Sequence, residues 1–268
     1  MTKKNKKNVI IVGAGDVGRA LQAILKKKFN VFLLDKKTKL PDEKTKISVA
    51  HICYGFDDNF IKNTVGYIKK YRPSLTIINS TIAVGTTRKI INKSKNQLIV
   101  HSPVIGDHNN LIGGIKTFTK PIGSDYPVAG RRAAKHFQTV AIKTKIFNNS
   151  KTTELGKLLL TTQYALNIAF HQEMERICRK TKTNFKETVS EMKKIYNAGY
   201  KKLRPNVTMS ELFPGKIGGK CLMPNLEILK QCYSSGFIEL IKKSNKEKTN
   251  EESTSANKHF STRQKKLP

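Results

Sequence analysis

The stretch from Asn8 to Asp35 constrains this chain more than any other. Val9 to Val12 is a β-branched run that ends in Gly13-Ala14-Gly15-Asp16-Val17-Gly18. Asp16 to Lys28 then places Val17, Ala20, Leu21, Ile24 and Leu25 on one helical face, and Asn30 to Leu34 reads as a second strand closed by Asp35. A glycine turn between a strand and a helix meets specific demands. Gly13 permits the tight turn, Gly15 lets the backbone approach a pyrophosphate, and Gly18 lets the helix pack closely. The first amides of the helix face the phosphates. Asp35 stands 22 residues after Gly13. A carboxylate there accepts hydrogen bonds from a ribose 2′-hydroxyl and repels a 2′-phosphate. The expected cofactor is therefore NAD, held by Gly13, Gly15, Asp16, Val17, Gly18 and Asp35. Lys36 and Lys37 weaken the preference over NADP, and a glycine turn that binds nothing is the alternative.

The same alternation continues. Strands are expected over Ile47 to Tyr54, Ser74 to Asn79, Leu98 to His101 and within Thr139 to Phe147. Helices are expected over Phe60 to Lys70 and from Thr87, while Lys36 to Lys46 reads as a turn. The pattern implies an α/β fold, a Rossmann-like doubly wound parallel sheet, over residues 1–148. A helical central or dimerisation region is expected over residues 149–236. Its long helix runs from Thr153 to about Lys182, with Leu155, Leu158, Leu159, Tyr164, Ala165, Ile168, Ala169 and Met174 at helical spacings. A run of that length suits a spine or a dimer interface. A second helix is expected from Asn184 to Tyr196, ended by Gly199, then a loop over 200–220 and another helix from Leu226. Residues 237–268 are mostly Lys, Asn, Glu, Ser and Thr, and read as a disordered charged tail.

Fifty-one Lys and Arg against nineteen Asp and Glu give a formal net charge of +32. That surface attracts anions, nucleic acid included. No regular basic repeat or RNA-binding signature organises the lysines, so nucleic-acid binding would be unspecific. The four cysteines are widely spaced and suggest no disulfide framework, and no His, Asp or Glu cluster has metal-ligand spacing. No apolar run approaches about 18 residues, and the short apolar run near the N-terminus leads into the glycine motif, so no signal peptide is expected. A cytoplasmic protein is expected, with no membrane partner and no metal.

Four spaced blocks follow in order: the glycine turn, the loop Asn79-Ser80-Thr81-Ile82-Ala83-Val84-Gly85-Thr86-Thr87, the helix start Thr153-Glu154-Leu155-Gly156-Lys157-Leu158 continuing to Glu173, and Pro214-Gly215-Lys216-Ile217-Gly218-Gly219-Lys220-Cys221. Together they resemble the UDP-glucose/GDP-mannose dehydrogenase family of nucleotide-sugar dehydrogenases. The resemblance spans roughly residues 8–230. It implies oxidation of a primary alcohol of a nucleotide sugar by two NAD-dependent hydride transfers. It assigns Cys221 as the nucleophile that traps the aldehyde, Lys157 as the oxyanion-stabilising lysine and Thr81 as the residue that positions water and substrate. Thr161, Tyr196, Tyr200, Gly218, Gly219 and Asn225 fall where the family grips substrate, and the central helix implies a homodimer.

The sequence departs from the family pattern at identifiable places. The family's catalytic glutamate position holds Val104, its asparagine one turn after the lysine is Thr161, and its aspartate four residues after the cysteine is Asn225. Pro224 replaces a lysine of many members, and Asp107 and His108 are the nearest polar substitutes for the missing glutamate. The resemblance leads one to expect a second nucleotide-binding-like domain after the cysteine, whereas the residues after Cys221 read as a short helix and a charged tail. Three functions follow: a nucleotide-sugar dehydrogenase, a non-catalytic NAD- or nucleotide-sugar-binding protein, and a basic nucleic-acid-associated accessory protein. Residue by residue, plainer accounts stand beside these. Cys221 is otherwise an inert loop thiol, Lys157 one surface lysine among many, His51 a satisfied core histidine and His101 a generic polar residue.

Overall fold

The computed structural model describes residues 6–35, 45–106, 108–219 and 221–264, without the side chains of 108 and 255–264. The chain divides into two compact units, Met1–Leu158 and Leu159–Pro268, and the division falls inside one helix.

The first unit is built on β1 (Asn8–Val12), α1 (Asp16–Leu25), β2 (Asn30–Leu34), β3 (Ile47–Ile52), α2 (Phe60–Tyr71), β4 (Thr76–Ile78), α3 (Thr86–Ser94) and β5 (Ile99–His101). It continues with α4 (Leu111–Thr117), β6 (Lys120–Gly123), α5 (Pro127–Gln138) and β7 (Thr144–Phe147). The sheet order is β2-β1-β3-β4-β5-β6-β7. Strands β1 to β5 are parallel, β6 is antiparallel to β5, and β7 is parallel to β6. The chain leaves β1 toward β2 and returns on the other side to β3. The carboxyl ends of β1 and β3 thus flank the switch point where open α/β sheets bind ligands.

Alternation along the strands splits the core in two. Val9 and Ile11 join Leu21, Ile24, Ile77, Val100 and Phe137 on one face. Ile10 and Val12 join Ile52, Phe60, Ile68, Ile78 and Ile90 on the other. A sheet buried on both faces needs such continuous apolar strands, and each buried Ile or Leu contributes about 1.5–3 kcal/mol.

This unit is the doubly wound α/β fold expected, with additions the sequence did not announce. Helices α4 and α5 and strand β6 fill the interval after His101. Strand β6 is Lys-Pro-Ile-Gly, a composition depleted in strands, which hid it from pattern reading.

The second unit is helical. Helix α6 (Ser150–Thr181) supplies its long element from Leu159 onward. A π-helical turn, Lys186–Glu191, leads into α7 (Met192–Leu203), followed by α8 (Leu222–Lys230) and α9 (Gly236–Gln264). Two expectations are corrected. Helix α7 passes through Gly199 and closes at Arg204, whose amide donates to the Tyr200 carbonyl at 2.7 Å. The stretch read as a disordered tail is largely α9. Ile238, Ile241, Ser244, Asn245 and Lys248 recur at helical spacing on its buried side. Arg176 of α6 binds Glu251 at 2.9 Å and the Ser244 carbonyl at 2.8 Å, and Lys248 binds Glu175 at 2.6 Å. Past Ile238 and Ile241, polar and ionic pairs rather than an apolar stripe hold this helix, so hydropathy alone misses it.

Candidate functional site

In the first unit the glycine turn has the shape its sequence demands. Gly13 has φ +106, and a Cβ there would stand 2.8 Å from the backbone of Cys53 and Tyr54. A Cβ on Gly18 would fall 1.9 Å from the Gly13 carbonyl oxygen. These two glycines let β1, β3 and α1 approach one another. Gly15 differs: a Cβ there would meet nothing within 4 Å, and as the residue that opens α1 it makes no side-chain cap. The space over it at the start of α1, where Asp16, Val17 and Gly18 begin the helix, fits a pyrophosphate. Asp35 is exposed at the end of β2. These residues fit NAD. Lys36 and Lys37 lie outside the described residues.

Behind the turn lies a buried polar chain. Asn79, directly after β4, donates through Nδ2 to the Ser102 carbonyl at 2.7 Å. Its Oδ1 is then an acceptor, so His51 Nδ1, 2.8 Å away, carries the proton. His51 Nε2 in turn accepts from His136 Nε2 at 3.0 Å. Burial lowers His51 to about 4 and pushes His136 well down, which keeps both rings neutral. The core-histidine account of His51 therefore describes its structural role. Lys120 Nζ donates to the carbonyls of Ser102 and Pro103 at 3.1 and 3.2 Å. Burial pulls this lysine to about 7.

His101 is more than a generic polar residue. Its Nε2 donates to the Ser80 carbonyl at 3.1 Å, and its Nδ1 lies 2.8 Å from Thr153 Oγ1. Burial lowers it to about 3, so the ring is neutral and Nδ1 accepts from the threonine. His101 thereby ties the residue before Thr81 to the turn of α6 before Lys157. Lys157 is half-buried, and its charge lowers the pKa of both His101 and Lys120. Glu154, buried on the same turn, accepts the amides of Gly85 and Thr87 at 2.5 and 2.8 Å and so anchors the start of α3. Thr81, half-exposed, sits on the loop between these anchors. Val104 is buried among apolar side chains. Asp107 lies outside the described residues, and the side chain of His108 is not described.

In the second unit Cys221 opens α8 and is partly exposed. The turn before it contains Gly219 at φ +80, and Cβ atoms on Gly218 or Gly219 would meet nothing within 4 Å. Asn225, one turn into α8, donates through Nδ2 to Thr161 Oγ1 at 3.3 Å. Two positions that depart from the family pattern thus touch each other. Tyr196 and Tyr200 pack together on α7 with ring centroids 4.5 Å apart. Tyr196 also lines an apolar cavity of about 500 Å³ with Met174, Ile177, Met192 and Met209. Lys220 lies outside the described residues. Among the described residues no group of three His, Cys, Asp or Glu is placed to hold a metal ion, and no helix is long and apolar enough to cross a membrane.

Residues 151–252 match the UDP-glucose/GDP-mannose dehydrogenase family, central domain. Over those residues the chain is similar to that central domain. Its sequence is 25% identical over 171 residues to the UDP-N-acetyl-D-mannosamine dehydrogenase of Methanocaldococcus jannaschii, an alignment covering 62% of this chain and 38% of that protein. The fold is similar to the UDP-D-ManNAc dehydrogenase of Pyrococcus horikoshii, with TM-score 0.73, 19% identity, and 89% of this chain and 68% of that one covered. It is also similar to the UDP-N-acetyl-mannosamine dehydrogenase of Staphylococcus aureus, with TM-score 0.74, 16% identity, and 94% and 70% covered. A 3-hydroxyisobutyrate dehydrogenase of Mycobacterium tuberculosis shares the fold over 90% of this chain and 92% of its own, with TM-score 0.67 and 13% identity. At these identities the structural likenesses concern the fold.

Sequence reasoning passed over Lys120, Gln172 and Asn245. None belongs to a short motif, and each acts on backbone far away in the chain.

Proposed function

We propose that this chain is an NAD-dependent dehydrogenase that oxidises a hydroxyl of a UDP- or GDP-linked sugar through a thiol-linked intermediate on Cys221. One observation carries the reading. A glycine turn shaped for a dinucleotide occurs in the same chain as a family central domain whose cysteine opens a helix behind a Gly-Gly turn. The supporting relatives are nucleotide-sugar dehydrogenases by description.

In this reading the amides at Gly13, Gly15, Asp16, Val17 and Gly18 hold the pyrophosphate and Asp35 takes the ribose hydroxyls. Bound NAD supplies the hydride acceptor. Thr81 positions substrate and Lys157 stabilises oxyanionic charge. The Cys221 thiol adds to the carbonyl carbon of the aldehyde, forming the C–S bond as the C=O π bond breaks, and the proton lost from sulfur passes to the carbonyl oxygen to give a thiohemiacetal. Thr161, Asn225, Tyr196, Tyr200, Gly218 and Gly219 contribute to substrate binding. The protein works as a cytoplasmic homodimer through its central helix.

A second reading, binding without turnover, is favoured by a specific observation. The buried Val104 and the Thr161–Asn225 contact leave these positions without a carboxylate to activate water. NAD reduction measured across a panel of UDP- and GDP-sugars separates the two. The first reading expects turnover that falls by about a hundredfold or more in Cys221→Ala and in Lys157→Ala. Full turnover in Cys221→Ala overturns the thiol route. Calorimetric NAD binding with no reduction on any sugar selects the second reading.

A further inference from the structure

The loop that leads to Cys221 is held from outside itself. Asn245 of α9 forms a two-point pair with the backbone of Ile217, accepting its amide at Oδ1 over 2.7 Å and donating from Nδ2 to its carbonyl over 3.2 Å. Two residues earlier the Gly215 carbonyl accepts from Gln172 Nε2 of α6 at 2.8 Å. The other end of that amide, Gln172 Oε1, accepts from Ser244 Oγ at 2.8 Å. Ser244 is the residue before Asn245, so the two clamps share one stretch of α9. Arg176 fixes this stretch further by donating to Ser244 Oγ at 3.0 Å and to its carbonyl at 2.8 Å. Gln172, Ser244 and Asn245 are all buried.

Every donor in this set meets an acceptor of the right kind. A primary amide that satisfies both the N–H and the C=O of one residue fixes the orientation of the two peptide groups flanking that residue, not only their distance. Ile217 is itself buried, whereas Gly218 and Gly219 beyond it are exposed, and a Cβ on either would meet nothing within 4 Å. An exposed glycine pair has wide backbone freedom. Only residues 218–221 separate the clamped Ile217 from the first residue of α8. The placement of Cys221 therefore depends on the anchor before the glycines and the helix after them.

We propose that Asn245, supported by Gln172 and Ser244, is a positioning residue for Cys221, acting through the backbone of Ile217. This rests on the reading of Cys221 as the reacting thiol. The clamp keeps the glycine turn open above while fixing its base. It gives α9 a function at the site rather than that of an appended helix.

The test uses the full chain carrying Cys232→Ser, which removes the exposed competing thiol. Iodoacetamide labelling of Cys221 is followed by peptide mass spectrometry, with hydrogen exchange of the 212–219 segment and steady-state NAD reduction alongside. Asn245→Ala is expected to raise exchange in that segment and change the Cys221 labelling rate by about fivefold or more. It should lower kcat by about tenfold while leaving KM for NAD within twofold. Asn245→Asp keeps the acceptor for the Ile217 amide and loses the donor. It should fall between wild type and alanine in all three readouts. If Asn245→Ala does not fold, Asn245→Asp and Ser244→Ala decide by the same measurements. Exchange that rises while labelling and kcat both stay within twofold of wild type overturns the proposal. So does unchanged exchange. Labelling and exchange need no turnover, so a failure of the dehydrogenase reading, seen as a Cys221→Ala variant with full activity, is distinguishable from a failure of the clamp.

Discussion

The chain contains two glycine turns that each end at a helix start, and they are built on opposite principles. In the first, Gly13 and Gly18 are required because backbone atoms crowd where their Cβ atoms would stand. In the second, Cβ atoms on Gly218 and Gly219 would meet nothing within 4 Å, and the backbone leading into the turn is held by amide side chains of α6 and α9. A turn set by backbone packing is specified locally and can be read from its motif. A turn set by distant side chains can be read only in part.

Substitutions should separate the two. The largest effect is expected for Gly18→Ala. Its methyl group would overlap the Gly13 carbonyl, costing about 3 kcal/mol or more in the first unit and abolishing NAD binding. Thermal unfolding with calorimetry of NAD binding checks this, and an unperturbed midpoint would mean that α1 shifts freely on β1.

Acid should act on the first unit next. His51 and His101 titrate near 4 and 3 when folded, against about 6.5 when unfolded. Between those values the unfolded chain binds more protons. Their contribution is present above pH 6.5 and is lost as pH falls toward 4 and 3, an effect on the order of a few kcal/mol. Denaturant unfolding from pH 7 to pH 4 measures it. His51→Gln should flatten the slope, and a slope unchanged by that substitution would exclude His51 as a source.

Glu154→Ala comes third. It leaves the buried amides of Gly85 and Thr87 without their acceptor and should cost about 2 kcal/mol. Faster hydrogen exchange at the start of α3 is the sign to look for.

The smallest effects sharpen the comparison from the other side. Gly219→Ala faces the cost of a left-handed φ, about 1 kcal/mol, while Gly218→Ala should change stability by no more than about 0.5 kcal/mol. A large loss of stability in Gly218→Ala would show that the second turn is packed as tightly as the first.

The legibility of particular residues follows the same division. Gly13, Gly18 and Asp35 were readable because strand, turn and helix follow one another without interruption. Thr161 and Asn225 were identified separately, but their contact could not be, since 64 residues lie between them. His101 gave only the signal of a histidine at a strand end. Its link between Ser80 and Thr153 required β5, the loop after β4 and α6 to be in place. Strand β6 was invisible because Lys120 and Pro121 break the strand pattern, and Lys120 is buried where its ammonium donates to the carbonyls of Ser102 and Pro103.

By itself, the sequence determined the doubly wound sheet, the glycine turn and its acidic partner, and the order of blocks leading to Cys221. Those features rest on periodicity and on steric demands that act between near neighbours in the chain. Only the tertiary structure decided that α9 is a helix, that its polar residues face inward, and that Asn245 and Gln172 grip the backbone before Cys221. The physical reason is that a buried amide is recognisable as satisfied only when its partner is known. That partner is a peptide group, which every residue carries and no sequence pattern marks.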